Sequence, residues 1–183
     1  MRVIKLGIIS VIVLFVTATA IGLLMPATVR VSRTTSIEAN TDTVFNMMND
    51  IKYWKLWMAN ADTATIVFDG VKTKGPGTVA LIGSNKVSIY PANKPNTVVT
   101  RWQGIKSNSD QYSYMELYSD SVGNRTVVNW YFEQQLSWYP WERLGSMMND
   151  KILGPLMEQS LDALKRKLER TGGGNTTITV PAS

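Results

Sequence analysis

Residues 6–25 form an uninterrupted run of twenty residues without a charge, LGIISVIVLFVTATAIGLLM, which stops at Pro26. At 1.5 Å per residue a helix of this length covers about 30 Å, the thickness of a bilayer's hydrocarbon core. Arg2 and Lys5 stand immediately before the run, which favours a cytoplasmic N-terminus with the remaining chain outside, although Arg30 and Arg33 on the other flank reduce the asymmetry. A second reading is a cleaved signal peptide, because Ala18-Thr19-Ala20 fits a small-x-small cleavage site. The apolar run continues past that site through Ile21, Leu23, Leu24 and Met25, longer than a typical cleavable core, and this favours an uncleaved anchor. Both readings export the rest of the chain. The expected organisation is a spanning or signal-anchor helix over 1–28, one domain over 29–170 and a flexible tail over 171–183. The expected location is a single-pass membrane protein with its domain in the periplasm or another extracytoplasmic space.

Of the 183 residues none is Cys and none is His. That excludes disulfides, thiolate nucleophiles, cysteine zinc sites and the side chain most used for acid–base work near neutral pH. Asp42 with Asp50, or Asp120 alone, gives no calcium-loop spacing, and Gly75-x-Gly77 opens no helix and so is no dinucleotide fingerprint. No metal and no cofactor is expected. The net charge of +5 is scattered, apart from Lys165-Arg166-Lys167 and Arg170, which read as a solvated helix face or, as the alternative, as a weak attraction to anionic lipid headgroups. A nucleic-acid partner would require concentration of those charges, and none is expected.

Beyond the apolar run, residues 29–37 alternate as a strand. Asn40 or Thr41 can cap a helix with Asp42 in its first turn, and Val44, Phe45 and Met48 fall on one face of it. Trp54, Trp57 and Met58 mark a second short helix. Short strands are expected next over 65–68, 78–82, 86–90, 97–103, 111–118 and 125–134, punctuated by Asp69-Gly70, Gly75-Pro76-Gly77 and Gly83-Ser84. Strands so closely spaced, without helices between them, imply an antiparallel sheet. A long helix then starts at Pro140 and carries Leu144, Met148, Ile152, Leu156, Leu161, Leu164 and Leu168 on one apolar face. Gly154-Pro155 lies inside it and predicts a kink or break.

Three stretches in this order carry a resemblance. The first is Ser36-Ile37-Glu38-Ala39-Asn40 through Val44-Phe45, followed by Asp50-Ile51-Lys52-Tyr53-Trp54-Lys55-Leu56-Trp57; the second is the Gly75-Pro76-Gly77 turn; the third is Thr126-Val127-Val128-Asn129-Trp130. With the closing helix ending Leu161-Asp162-Ala163-Leu164-Lys165, the chain resembles the START/Bet v 1-like (SRPBCC) superfamily over residues 29–170. The resemblance is to the branch labelled polyketide cyclase/dehydrase and lipid transport. It implies an α+β helix-grip fold, with a curved antiparallel sheet of about seven strands around a long C-terminal helix, here preceded by one transmembrane helix. Such a fold encloses an apolar cavity, but the superfamily spans transporters, receptors and cyclases, so it does not select an activity.

Within that frame Val128, Trp130 and Phe132 share one strand face, expected to point inward, with Met115 and Leu117 as neighbours and Met147, Met148 and Ile152 closing the cavity from the helix. These eight are the expected ligand contacts. Each also fits an ordinary core position. Trp54 and Trp57 are expected to pack the short helices onto the sheet, while Trp138, Tyr139 and Trp141 fit either a cavity rim or a membrane interface. Carboxylate candidates are Asp50, Asp110, Glu116 and Glu133, of which Glu116 and Glu133, on consecutive strands, could form a working pair. No catalytic residue is assigned. The leading expectation is a carrier or binding domain for a hydrophobic small molecule or lipid, with the membrane as partner through residues 6–25. The alternatives are a carboxylate- or Tyr-dependent enzyme of cyclase/dehydratase type, and a ligand-free structural or interaction module of the cell envelope.

Overall fold

The computed structural model describes residues 2–24, 26–59, 61, 63–104, 110–120, 125–136, 139, 141 and 148–172. The apolar run is one helix, α1 (Arg2–Leu24), long and apolar enough to cross a membrane, with almost none of its surface buried against the rest of the chain. Its two threonine hydroxyls, on Thr17 and Thr19, donate to the carbonyls of Val13 and Phe15 one turn back, both at 2.8 Å. Neither hydroxyl is therefore left unpaired on an apolar helix.

The domain keeps the expected order. β1 (Thr28–Ile37) leads into α2 (Thr41–Asn49), capped by the Asn40 side chain, which accepts from the Asp42 N–H at 2.8 Å. A 3-10 turn (Ile51–Leu56) carries Trp54. Then come β2 (Ile66–Phe68), β3 (Val79–Ile82), β4 (Asn85–Tyr90), β5 (Thr97–Gly104), β6 (Asp110–Ser119) and β7 (Thr126–Gln135), and finally α3 (Asn149–Gly172). The strands make one antiparallel sheet in the order β1-β7-β6-β5-β4-β3-β2. β1 and β2 are therefore its two edges. The Gly83-Ser84 pair closes β3 onto β4 with Gly83 at φ 58°, the left-handed region a two-residue hairpin needs. Asp69-Gly70 does not close a tight hairpin. β2 and β3 do pair, with Phe68 opposite Ala80, but across the longer loop 69–78 that also contains the Gly75-Pro76-Gly77 turn.

α3 differs from expectation in two ways. It runs through Pro155 without a break, and its buried stripe keeps Leu161, Leu164 and Leu168 of the expected face but not Met148 and Ile152. Met157, Leu161, Leu164 and Leu168 are buried, whereas Met148 and Ile152 are more than half exposed. The reason is geometric. Four-residue steps exceed one 3.6-residue turn, so a stripe built from them precesses, and Ile152, nine residues before Leu161, lies about two and a half turns back, on the opposite side. Pro140, Leu144 and Met147 lie outside the described residues, as does the tail from residue 173.

An ion-pair clamp fastens α3 to β1. Arg33 occupies an inward register position, and its guanidinium reaches Asp150 at 3.0 Å and Glu158 at 2.5 Å. Asp150, Gly154 and Glu158 recur every four residues along the helix edge, and a Cβ on Gly154 would collide with Arg33 Nη2. The glycine is there because the guanidinium crosses the helix at that point. Gly154→Ala should lower the melting temperature in the native background. In an Arg33→Ala background the sign should reverse, since alanine then adds about 1 kcal/mol of helix propensity with nothing to displace. Thermal melts of the four proteins in the cycle test this; equal effects in both backgrounds would show that Arg33 does not occupy the space above Gly154.

Candidate functional site

The sheet register sorts side chains onto two faces. Val98, Thr100 and Trp102 of β5, Ser113, Met115 and Leu117 of β6, and Val128, Trp130 and Phe132 of β7 face α2 and α3. Tyr112, Tyr114, Glu116 and Tyr118 of β6, and Tyr131 and Glu133 of β7, face away. Along the inward face the packing changes from one end of the sheet to the other. At the end where β1 stops and β7 starts, Met115, Leu117 and Val128 are sealed in the core beneath α2 and the later turns of α3. At the opposite end, where β1 starts, the helix and the sheet stand apart.

That gap is a cavity of about 470 Å³. Trp102, Trp130 and Phe132 form its sheet wall, Leu153, Leu156 and Met157 its helix wall, and the segment around Met58 and Ala64 one side. The aromatic wall is a packed stack. Trp54 lies parallel to Trp102 at 5.8 Å, Trp57 meets Trp130 edge-on at 6.0 Å, and Phe132 tilts against both cavity tryptophans. Each indole N–H is bonded within the protein. Trp130 donates to Ser113 Oγ at 2.7 Å, Trp102 to Thr100 Oγ1 at 3.0 Å, Trp54 to the Met48 carbonyl at 2.8 Å and Trp57 to the Met47 carbonyl at 3.3 Å. The cavity tryptophans are thus spent as donors and offer ring surface. Ser160, at the inner end, donates to the Leu156 carbonyl and accepts from the Ala59 N–H. Ser84, Asn85 and Gln111 are the further polar side chains. No described lining residue is ionisable.

Of the eight expected ligand contacts, the structure brings Trp130 and Phe132 to the cavity. Met115, Leu117 and Val128 face the right way but are core and do not line the cavity. Met148 and Ile152 are corrected: they lie on the outer side of α3 and form no part of the wall. Met147 lies outside the described residues. Trp54 and Trp57 pack against the sheet, behind the cavity wall. Sequence reasoning missed Trp102, Leu153 and Met157. Trp102 had a readable signal, since it alternates in register with Val98 and Thr100.

The carboxylate candidates are also placed. Asp50 caps the 3-10 turn, accepting from the Lys52 N–H at 3.0 Å, and Asp110 pairs with Arg101 at 2.7 Å. Glu116 and Glu133 lie on the outer face, away from the cavity. Glu116 stands opposite Asn129 and Glu133 opposite Tyr112, about 13 Å apart along the strands. They cannot form a working pair, and neither reaches the cavity.

Glu116 is instead the centre of an outer-face cluster. It is 8% exposed and accepts from Tyr118 Oη at 2.7 Å, Lys94 Nζ at 3.1 Å and Tyr131 Oη at 3.3 Å. The Tyr118 hydroxyl, with Lys94 and Tyr131, holds its carboxyl below the usual range against the opposing effect of burial. Burial, reinforced by the Glu116 charge, pushes the Tyr131 phenol up to about 12. The signs come from linkage. A depressed carboxyl pKa gives stability that is present above about pH 4 and lost as pH falls through the folded value; a raised phenol pKa gives stability that is present below about pH 10 and lost as pH rises through 12. Glu116→Gln should therefore flatten the acid limb of a stability–pH curve, and Tyr131→Phe the alkaline limb. Retention of both limbs in the variants would show that the cluster does not set them.

Neither a protein-family model nor a curated protein sequence matches the chain. Solved structures do. A START superfamily protein from Mycobacterium smegmatis superposes with TM-score 0.58 at 13% identity, covering 77% of this chain and 97% of that one. The Zhui aromatase/cyclase from a Streptomyces species gives 0.62 at 12%, covering 82% and 99%. A norcoclaurine synthase from Thalictrum flavum gives 0.58 at 12%, covering 79% and 96%. At these identities the likeness is one of architecture. Seven antiparallel strands curved around a C-terminal helix give this chain the helix-grip fold of START and Bet v 1-like proteins.

Proposed function

We propose that this chain is a membrane-anchored binding or carrier domain for a hydrophobic small molecule or lipid. The observation that carries the reading is the cavity of about 470 Å³, whose described wall is aromatic and aliphatic with a few neutral polar groups and no ionisable side chain. Ligand pockets of small molecules are typically of this size and character. A described wall without acid or base supports holding a molecule in preference to transforming it. The aromatase/cyclase and the synthase share the fold, and fold alone does not transfer their chemistry. A ligand-free module would have a collapsed interior, which this cavity argues against. α1 supplies the membrane attachment, and the basic residues Arg2 and Lys5 before it favour a domain outside the cytoplasm. Residues 29–170 act as the binding unit in this reading. The test is native mass spectrometry of the full chain released from detergent. A bound apolar molecule of defined mass, lost on denaturation, is the expected result; a chain that stays empty when offered membrane lipid extract overturns the reading.

A further inference from the structure

We infer that the outer side of the first turns of α3, with the Tyr139–Trp141 pair, is a lip that touches the bilayer holding α1, and that the cavity is thereby loaded from that membrane. The inference rests on the proposed carrier reading. It stands on where three features meet along the sheet.

The first is the tether. The Ala27 carbonyl accepts from the Leu136 N–H at 2.8 Å, so the end of the sheet where β1 starts and β7 ends is fixed three residues after Leu24. Three extended residues span about 10 Å at most. That edge of the domain therefore lies within about 10 Å of the end of the spanning helix, at the headgroup layer.

The second is the cavity. Its sheet residues Ile82, Asn85, Gly104, Gln111 and Phe132 all lie at this same end, as the pairings of Ile82 with Asn85 and Asn85 with Gly104 show. α3 also begins here: Asp150 and Glu158 meet Arg33, while Glu169, further along, accepts from the Glu38 N–H just past the other end of β1.

The third is exposed apolar surface. Met148, just before α3, and Ile152, in its first turn, are 58% and 57% exposed, with the Ile152 N–H donating to the Met148 carbonyl at 3.1 Å. Trp141 is 60% exposed and stacks on Tyr139 at 4.9 Å, and Tyr139 comes three residues after the tethered Leu136. Trp and Tyr favour the headgroup layer, and aliphatic side chains beside them favour the acyl boundary. Over β1 and β5–β7 the outer sheet face carries Arg, Glu, Asp and Tyr pairs instead, and its exposed aliphatic pair, Val67 with Leu81, lies at the opposite edge of the sheet, on β2 and β3.

The absence of cysteine provides the test, because an introduced thiol is the only one to label. Met148→Cys and Ile152→Cys would each carry an environment-sensitive fluorophore in the full chain, reconstituted in phosphatidylcholine–phosphatidylglycerol vesicles. Val71→Cys is the control; Val71 is fully exposed on the loop at the far end of the sheet. Lipids with a nitroxide on the acyl chain should quench positions 148 and 152 about twofold or more and leave 71 unchanged. Equal, low quenching at all three positions overturns the inference. So does a label at 148 or 152 that is shielded from aqueous iodide yet not quenched by the lipid, which would place a second copy or other protein on the patch. Native mass spectrometry of the same samples separates the two readings. Lipid quenching with an empty cavity supports the lip and sinks the carrier; a bound molecule without quenching sinks the lip alone.

Discussion

Replacing Trp54 with alanine should cost the domain about 3–5 kcal/mol, a large part of the 5–15 kcal/mol that holds a domain of this size together. Trp54 is completely buried, donates its indole N–H to the Met48 carbonyl at 2.8 Å, and lies flat against Trp102 at 5.8 Å and edge-on to Trp57 at 6.2 Å. Three losses coincide in the alanine variant. A large ring leaves a void, the stack against Trp102 loses one layer, and the carbonyl at the end of α2 loses its donor. Trp54→Phe separates them, because it keeps a ring and removes the hydrogen bond, and should cost about 1–3 kcal/mol. Urea unfolding of the full chain in micelles, monitored by near-UV circular dichroism, measures both. A loss below about 1 kcal/mol for Trp54→Ala would mean that the aromatic stack is not packed as described. The effect also reaches the cavity, since Trp102 is both the partner of Trp54 and part of the cavity wall.

That stack shows what a one-dimensional reading can and cannot extract. Trp54 and Trp57 stand three residues apart just after a capped helix, so their packing onto the sheet was legible from spacing. The inward direction of Trp130 came from the two-residue period of a strand, and the order of elements was carried by turn residues such as Gly83-Ser84 and Gly75-Pro76-Gly77. These signals are local, and the structure keeps them. What was not legible depends on distance in sequence. Arg33 sits at an inward position of β1, where a charge would be costly alone, and its partners Asp150 and Glu158 lie more than a hundred residues away. No period reveals that pairing.

The cavity was only half legible for a related reason. Strand alternation fixes which face a residue occupies but not how far along the face the helix presses. Met115 and Trp130 are cross-strand neighbours on the inward face, yet Met115 is sealed in core and Trp130 borders open space. The helix side failed for a different cause. The leucine and methionine spacing of α3 is too close to four for a stripe to stay on one side, so a continuous series such as Met148, Ile152 and Leu156 passes from exposed to half-buried within two turns. Leu156 reaches the cavity from that series, and the other helix residues that line it, Leu153 and Met157, belong to a parallel series one step along.

Ala64→Trp should reduce binding of an apolar ligand at least about tenfold while leaving the domain folded. Ala64 borders one side of the cavity and lies beside the Gly83 turn, at the tethered end of the sheet. It is half-buried and outside the aromatic stack, so a larger side chain can extend into the existing space without displacing core. Overpacking a closed core typically costs about 1–3 kcal/mol, whereas filling an open cavity removes that strain and removes the ligand's room instead. A fluorescent fatty acid, titrated into full-length protein in micelles and read by anisotropy, gives the two affinities, and the melting temperature of the same samples reports the fold. Unchanged affinity with an unchanged melting temperature would place the ligand elsewhere, and the outer-face hollow that Tyr90, Tyr112, Tyr114 and Tyr131 line around Glu116 would then be the next surface to block. Lost affinity with an intact fold would tie the binding to the space between Trp130 and Met157, which no arrangement on the outer face can reproduce.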